Sequence, residues 1–148
     1  MNALIATTED RARLLAEARS WLGTPYAADG AVKGAGVSCS LLPYEILRAC
    51  GHAVPRPPAR VAMPKVSILD FMRAWLEGAP TYFAPVPPTE MTVGDVALMH
   101  AGMGHLLMRV DPNNFVHCWK SGGVQFASVK SPIFSLRIRS VWRPIVST

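Results

Sequence analysis

The sequence predicts an α+β fold, with helices in the first half packed on a C-terminal antiparallel sheet of about five strands. Three observations predict it. Apolar residues recur at helical spacing in three segments before residue 78, and from about residue 95 the apolar period changes to two. The stretches between are rich in glycine, proline and asparagine, which break both patterns. Helices first and strands afterwards is the α+β order. At 148 residues, half of them hydrophobic, the chain suits one domain spanning 1–148 with one core.

The elements follow in order. Thr7 or Thr8 caps a first helix, with Glu9 and Asp10 suited to the dipole of its first turn. Leu14, Leu15, Ala18, Trp21 and Leu22 form its buried stripe, and Gly23 ends it. Residues 24–37 read as a glycine-rich loop. A second helix is expected from about Cys39 to Cys50, with Leu42, Ile46, Leu47 and Cys50 inward and Gly51 as its stop. Pro43 fits its first turn, where the N–H groups have no helical partner anyway. Pro55, Pro57, Pro58 and Pro64 make a stiff connection. Ser67 caps a third helix to Glu77, with Ile68, Phe71, Met72 and Trp75 inward, broken at Gly78-Ala79-Pro80. Pro85, Pro87 and Pro88 read as loop. Strands are expected at 95–100, 104–110, 114–119, 123–129 and 134–143, with turns at Ala101-Gly102, Asp111-Pro112-Asn113-Asn114, Ser121-Gly122-Gly123 and Ser131-Pro132.

Composition narrows the function. The formal charge of +5 comes from scattered lysines and arginines with no aromatic-basic stripe, so nucleic acid is a poor partner. Three cysteines without a CxxC pair argue against a disulfide scaffold. Cys50 and Cys118 read as small core residues. The first residues lack a basic start and a sustained apolar run, so neither a leader nor a membrane span is expected. The expectation is synthesis in the cytoplasm, with export, if any, by another machine.

The chemistry points to Cys39. It sits in Gly36-Val37-Ser38-Cys39-Ser40, where the glycine-rich loop runs into the second helix. A thiol at a helix start sees the positive end of the peptide dipoles, a field that favours the attacking thiolate. His105 and His117 lie far downstream on expected strands. A lone loop-to-helix cysteine with distant histidines is the sequence form of a cysteine-nucleophile hydrolase. A buried structural thiol is the plainer reading of Cys39. His52 follows a helix stop, where a cation suits the dipole, and His100 sits at a strand end near the expected cleft rim; neither is expected to be catalytic. Cys39, His105, His117 and Cys118 match no common zinc spacing, so neither a metal nor another cofactor is expected.

Trp21-Leu22-Gly23-Thr24-Pro25-Tyr26, Gly36-Val37-Ser38-Cys39-Ser40, Gly94-Asp95-Val96, Gly104-His105-Leu106-Leu107-Met108, Phe115-Val116-His117 and Arg143-Pro144 together resemble the NlpC-type cell-wall peptidases, which are papain-like. The match runs from about residue 12 to 144 and is weakest over 52–90. The resemblance implies that Cys39 is the nucleophile, His105 the base and His117 the third, orienting group. It implies that Tyr26 borders the site and donates near the oxyanion, with Ser38 and Ser40 in contact with substrate. The implied substrate is the stem peptide of peptidoglycan, cleaved at an amide bond. The wording is most similar to small phage-tail or prophage members, which implies tail or delivery-apparatus partners and a virion-associated or periplasmic destination. Two departures stand out. Ser38 replaces the family's usual aspartate, and Leu41 replaces its usual glycine and is expected to narrow the cleft. A secreted antibacterial amidase is the near alternative. A catalytically decayed tail or wall-binding module, and a thiol acyltransferase, are the others.

Register offers a test. For both histidines to share a sheet face, the hairpin between their strands needs an odd loop or a bulge, pairing Leu107 with His117.

Overall fold

The computed structural model describes residues 3–59, 65–78, 82–100 and 104–145. The expected turn at Ala101-Gly102, Pro64, and the Ala79-Pro80 part of the third helix's break lie outside these residues.

Helix α1 spans Thr8–Ser20. Thr7 caps it by a reciprocal box: its hydroxyl accepts the Asp10 N–H at 3.0 Å, and the Asp10 carboxylate accepts the Thr7 N–H at 3.0 Å. Leu14, Ala18 and Trp21 are buried as expected, but Leu22 is 45 % exposed, because the chain has left the helix by then. Helix α2 spans Leu41–Ala49 and buries Leu42, Ile46 and Leu47. Helix α3 spans Ile68–Glu77, capped by the Ser67 hydroxyl and burying Phe71, Met72, Trp75 and Leu76. Among the described residues no helix is long and apolar enough to cross a membrane.

A short hairpin, β1 (Ala31–Val32) with β2 (Gly36–Val37), folds the expected loop before α2. The main sheet has six strands: β3 (Phe83–Val86), β4 (Val96–His100), β5 (Gly104–Arg109), β6 (Asn114–Trp119), β7 (Gly123–Ser128) and β8 (Ile138–Pro144), in the order β3-β8-β4-β5-β6-β7. All its pairings are antiparallel. The prolines at 85, 87 and 88 predict a loop here, but residues 83–86 form strand β3. Pro85 is tolerated there because β3 is an edge strand, where a missing donor costs nothing on the solvent side. The first residues of the expected last strand instead form a one-turn helix, α4 (Pro132–Ser135), started by Pro132.

The sheet is covered on both faces. Leu98, Leu106, Met108, Val116 and Cys118 pack with the helical core of Leu14, Leu42, Ile46 and Met72. Each such fully buried aliphatic side chain contributes about 1.5–3 kcal/mol. Ala97, Met99, Leu107, Phe115 and Val141 face the other way and pack with Phe134 of α4. Two motif residues outside the candidate catalytic set tie β8 to the start of β4. The Arg143 guanidinium on β8 donates to both oxygens of the buried Asp95 carboxylate, each at 3.0 Å, and that carboxylate also accepts the Thr92 N–H at 2.9 Å.

Candidate active site

Ser38, Cys39 and Ser40 turn the chain from β2 into α2. The Ser38 hydroxyl accepts the Leu41 N–H at 3.2 Å and its carbonyl accepts the Leu42 N–H at 3.1 Å, so Ser38 caps the helix and Cys39 rides on its opening turn. Leu41, expected to narrow the cleft, instead points into the core at 4 % exposure. Its position on α2 is one of the inward-facing ones beside Leu42. The loop is pinned from below: the Cys118 thiol of β6 donates to the Val37 carbonyl at 3.3 Å, and Tyr26 bridges to Val37.

The histidines meet by the predicted register. Met108 pairs with Val116 and Arg109 with Phe115, the alignment in which Leu107 falls opposite His117. The connection is odd because Asp111 builds a tight turn. Its carboxylate accepts the Asn113 N–H at 2.7 Å, and the Val110 N–H reaches the Asn114 carbonyl at 3.0 Å, leaving three residues between. His105 and His117 therefore share a face as diagonal neighbours. His105 Nε2 lies 3.1 Å from His117 Nδ1. Both residues are buried, at 4 % and 1 % exposure.

A cleft of about 330 Å³ brings the candidate residues together. Cys39, His105, Tyr26, Ser38 and Ser40 all line it, while His117 stands behind His105 in the sheet. One wall belongs to α3, through Ile68, Phe71 and Met72. Gly104, the residue before His105, permits this approach: a Cβ there would fall 2.6 Å from the Leu69 Cα. Gly123, at the start of β7, takes a φ of +68°, and a Cβ there would sit 2.3 Å from the Thr24 carbonyl oxygen. That contact sews β7 to the loop carrying Tyr26.

The electrostatics correct one expectation. The backbone N–H of Leu106 on β5, and those of Cys39 and Ser40 at the helix start, hydrogen-bond the Cys39 sulfur and lower its pKa. Burial outweighs them, and the thiol is pushed up to about 11. Burial also pushes His105 down to about 3, with the neighbouring His117 adding to the shift, and His117 down to about 4. These shifts favour a neutral thiol beside two neutral imidazoles over a preformed thiolate, although Cys39 itself is only partly buried and lines the cleft. The Tyr26 phenol is raised too, first by burial and then by the two nearby thiols, so it remains a hydrogen-bond donor.

His52 is not a cationic cap. Its Nε2 is buried without a hydrogen-bond partner, and desolvation lowers its pKa. His100 is exposed at the end of β4 and does not line the cleft. Three contributors escaped the sequence reading: the Leu106 N–H, the α3 wall and Trp119. The last had a signal. The register that pairs Leu107 with His117 also sets Trp119 opposite His105.

No protein-family model and no curated protein matches this sequence. Solved structures do match the fold. A lipoprotein-like protein of the NLP/P60 family from Staphylococcus aureus superposes with a TM-score of 0.68 at 18% identity, over 99% of this chain and 44% of its own. The P60-type domain of the peptidoglycan hydrolase SagA gives 0.56 at 18% identity, over 88% of this chain and 96% of its own. RipD of Mycobacterium tuberculosis, described as a non-catalytic NlpC/p60 protein adapted to peptidoglycan binding, gives 0.58 at 14% identity, over 92% and 97%. The chain spans less than half the length of the Staphylococcus aureus protein. The architecture is that of NlpC/P60 domains.

Proposed function

We propose that this chain is a cysteine peptidase of the NlpC/P60 kind that hydrolyses amide bonds in peptidoglycan stem peptides. The observation that carries the reading is the 3.1 Å contact between His105 Nε2 and His117 Nδ1, beside a cleft shared with Cys39. With Nε2 engaged by His117, His105 has Nδ1 left to act as the base. For that, the proton sits on Nε2 and is donated to His117 Nδ1.

The reaction then begins from the neutral pair. A substrate carbonyl enters the cleft over Cys39, and His105 takes the thiol proton as sulfur attacks. The backbone N–H of Cys39 and the Tyr26 hydroxyl face the developing oxyanion. His105 next delivers its proton to the leaving amine, and water hydrolyses the thioester by the reverse proton path. The setting proposed for this chemistry is local wall opening by a phage tail or a related delivery machine, on the resemblance of the sequence to those small enzymes.

Two observations favour a second reading, a wall-binding module without catalysis. The Cys39 thiol is pushed up to about 11, and Ser38 stands where an acidic residue is usual in the resembled family. Incubation with purified sacculi separates the two. Wild type is expected to release peptides, identified by mass, with cut amide bonds, and Cys39→Ala to release none. Sacculus binding without release by wild type would reject the peptidase and favour the module.

A further inference from the structure

Among the described residues, no carboxylate or amide bonds to His105 or His117 to orient them. Packing does that work. The Trp119 indole lies flat on the His105 imidazole, with ring centroids 4.1 Å apart and planes within 2°. It meets His117 edge-on at 5.1 Å and 88°. Phe134 closes the far side, 5.0 Å from His117 and 6.0 Å from Trp119. Trp119 also lines the cleft, so one indole spans the distance between open site and buried pair.

The two constraints on His105 are complementary. A flat stack fixes the plane of the imidazole but not which edge carries Nδ1, since a half-turn of the ring preserves the plane. The hydrogen bond to His117 fixes the edge but tolerates a range of planes. Together they leave one orientation, with Nε2 on His117 and Nδ1 free.

We propose that Trp119 is the positioning residue of this site: its indole locks the plane of His105 and keeps water from the imidazole pair. The proposal rests on the reading of Cys39 as nucleophile and His105 as base. The titratable groups lining the cleft around the pair are Tyr26, Asp29, Cys39, Cys118 and Lys120. Across the neighbouring strands Met99 of β4 stands opposite His105 and Gln125 of β7 opposite His117, with Ile68 of α3 on the cleft wall and Phe134 of α4 against His117. Lys120 reaches over Tyr26, with Nζ 5.9 Å from its ring.

The test compares wild type with Trp119→Phe, which keeps an aromatic face, and with Trp119→Leu and Trp119→Met, which do not. Two variants without a face guard against misfolding of one. Imidazole NMR is followed from pH 7 to pH 3. In the Leu or Met variant, both histidines are expected to titrate at least about one pH unit higher than in wild type. The slowly exchanging proton between the rings is expected to vanish. The Phe variant is expected to keep both signatures. On a cleaved muropeptide, kcat is expected to fall more than about tenfold in the faceless variants, with KM within about twofold. Unchanged imidazole titration in a folded faceless variant would overturn the proposal, as would a loss confined to KM. The NMR arm needs no turnover, so a wild type inactive on sacculi would reject the peptidase and leave the role of Trp119 decided on the titration.

Discussion

At Cys39 two physical effects compete, and burial wins. Three backbone N–H groups aim at the sulfur, yet desolvation leaves a thiol with a pKa of about 11. The pH dependence follows. Iodoacetamide labelling of Cys39 in the free protein is expected to be slow at pH 7 and to climb until about pH 11, with no plateau near neutrality. A plateau below pH 8 would show a preformed ion pair with His105. His117 makes its own prediction. In the proposed tautomer its Nδ1 accepts the proton carried by His105 Nε2, 3.1 Å away. His117→Ala is expected to lower kcat by about 10²-fold with little change in KM. His117→Asn, whose amide oxygen can accept the same proton, is expected to recover much of that loss. Steady-state kinetics on a muropeptide check both.

At the scale of elements, the site depends on where β5 and β6 sit against one another and against α2 and α3. The ladder between β5 and β6 stops at Met108 with Val116, so the strands part toward the cleft. In that opening the Leu106 N–H turns to the Cys39 sulfur. The frame is held by Asp95, buried at 1 % exposure beneath Arg143. Arg143 keeps some access to water, which softens the loss when the pair is broken. Asp95→Ala is expected to cost about 2–3 kcal/mol by leaving the guanidinium and the Thr92 N–H without their acceptor. Urea denaturation checks it: a shift in midpoint below that of a surface Asp→Ala control is expected, and an equal shift would place the frame elsewhere. The sequence marked Asp95 and Arg143 as motif residues. It did not show that they touch, since 48 residues separate them.

At the scale of the molecule, the imidazole pair is a weak point in acid. His105 and His117 have folded pKa values of about 3 and about 4 against an ordinary value of 6.5. The unfolded chain therefore binds more protons between these limits. Their contribution to stability is complete above pH 6.5 and is lost as pH falls toward 4. Calorimetry is expected to show Tm falling between pH 7 and pH 4.5, with a shallower fall in His117→Asn. Equal slopes in the two proteins would place the acid sensitivity outside the pair.

The sequence by itself determined the local structure and the cast of the site. Capping residues, apolar periods and turn chemistry are short-range, so Thr7, Ser67 and Asp111 do in the fold what their neighbours along the chain dictate. Parity of the side-chain period even forced the odd loop between the two histidine strands. Tertiary structure decided the rest, because desolvation and ring packing depend on what arrives from elsewhere. It turned Leu41 into the core, made β3 an edge strand despite its prolines, raised the thiol that its helix was expected to lower, and laid Trp119 on His105.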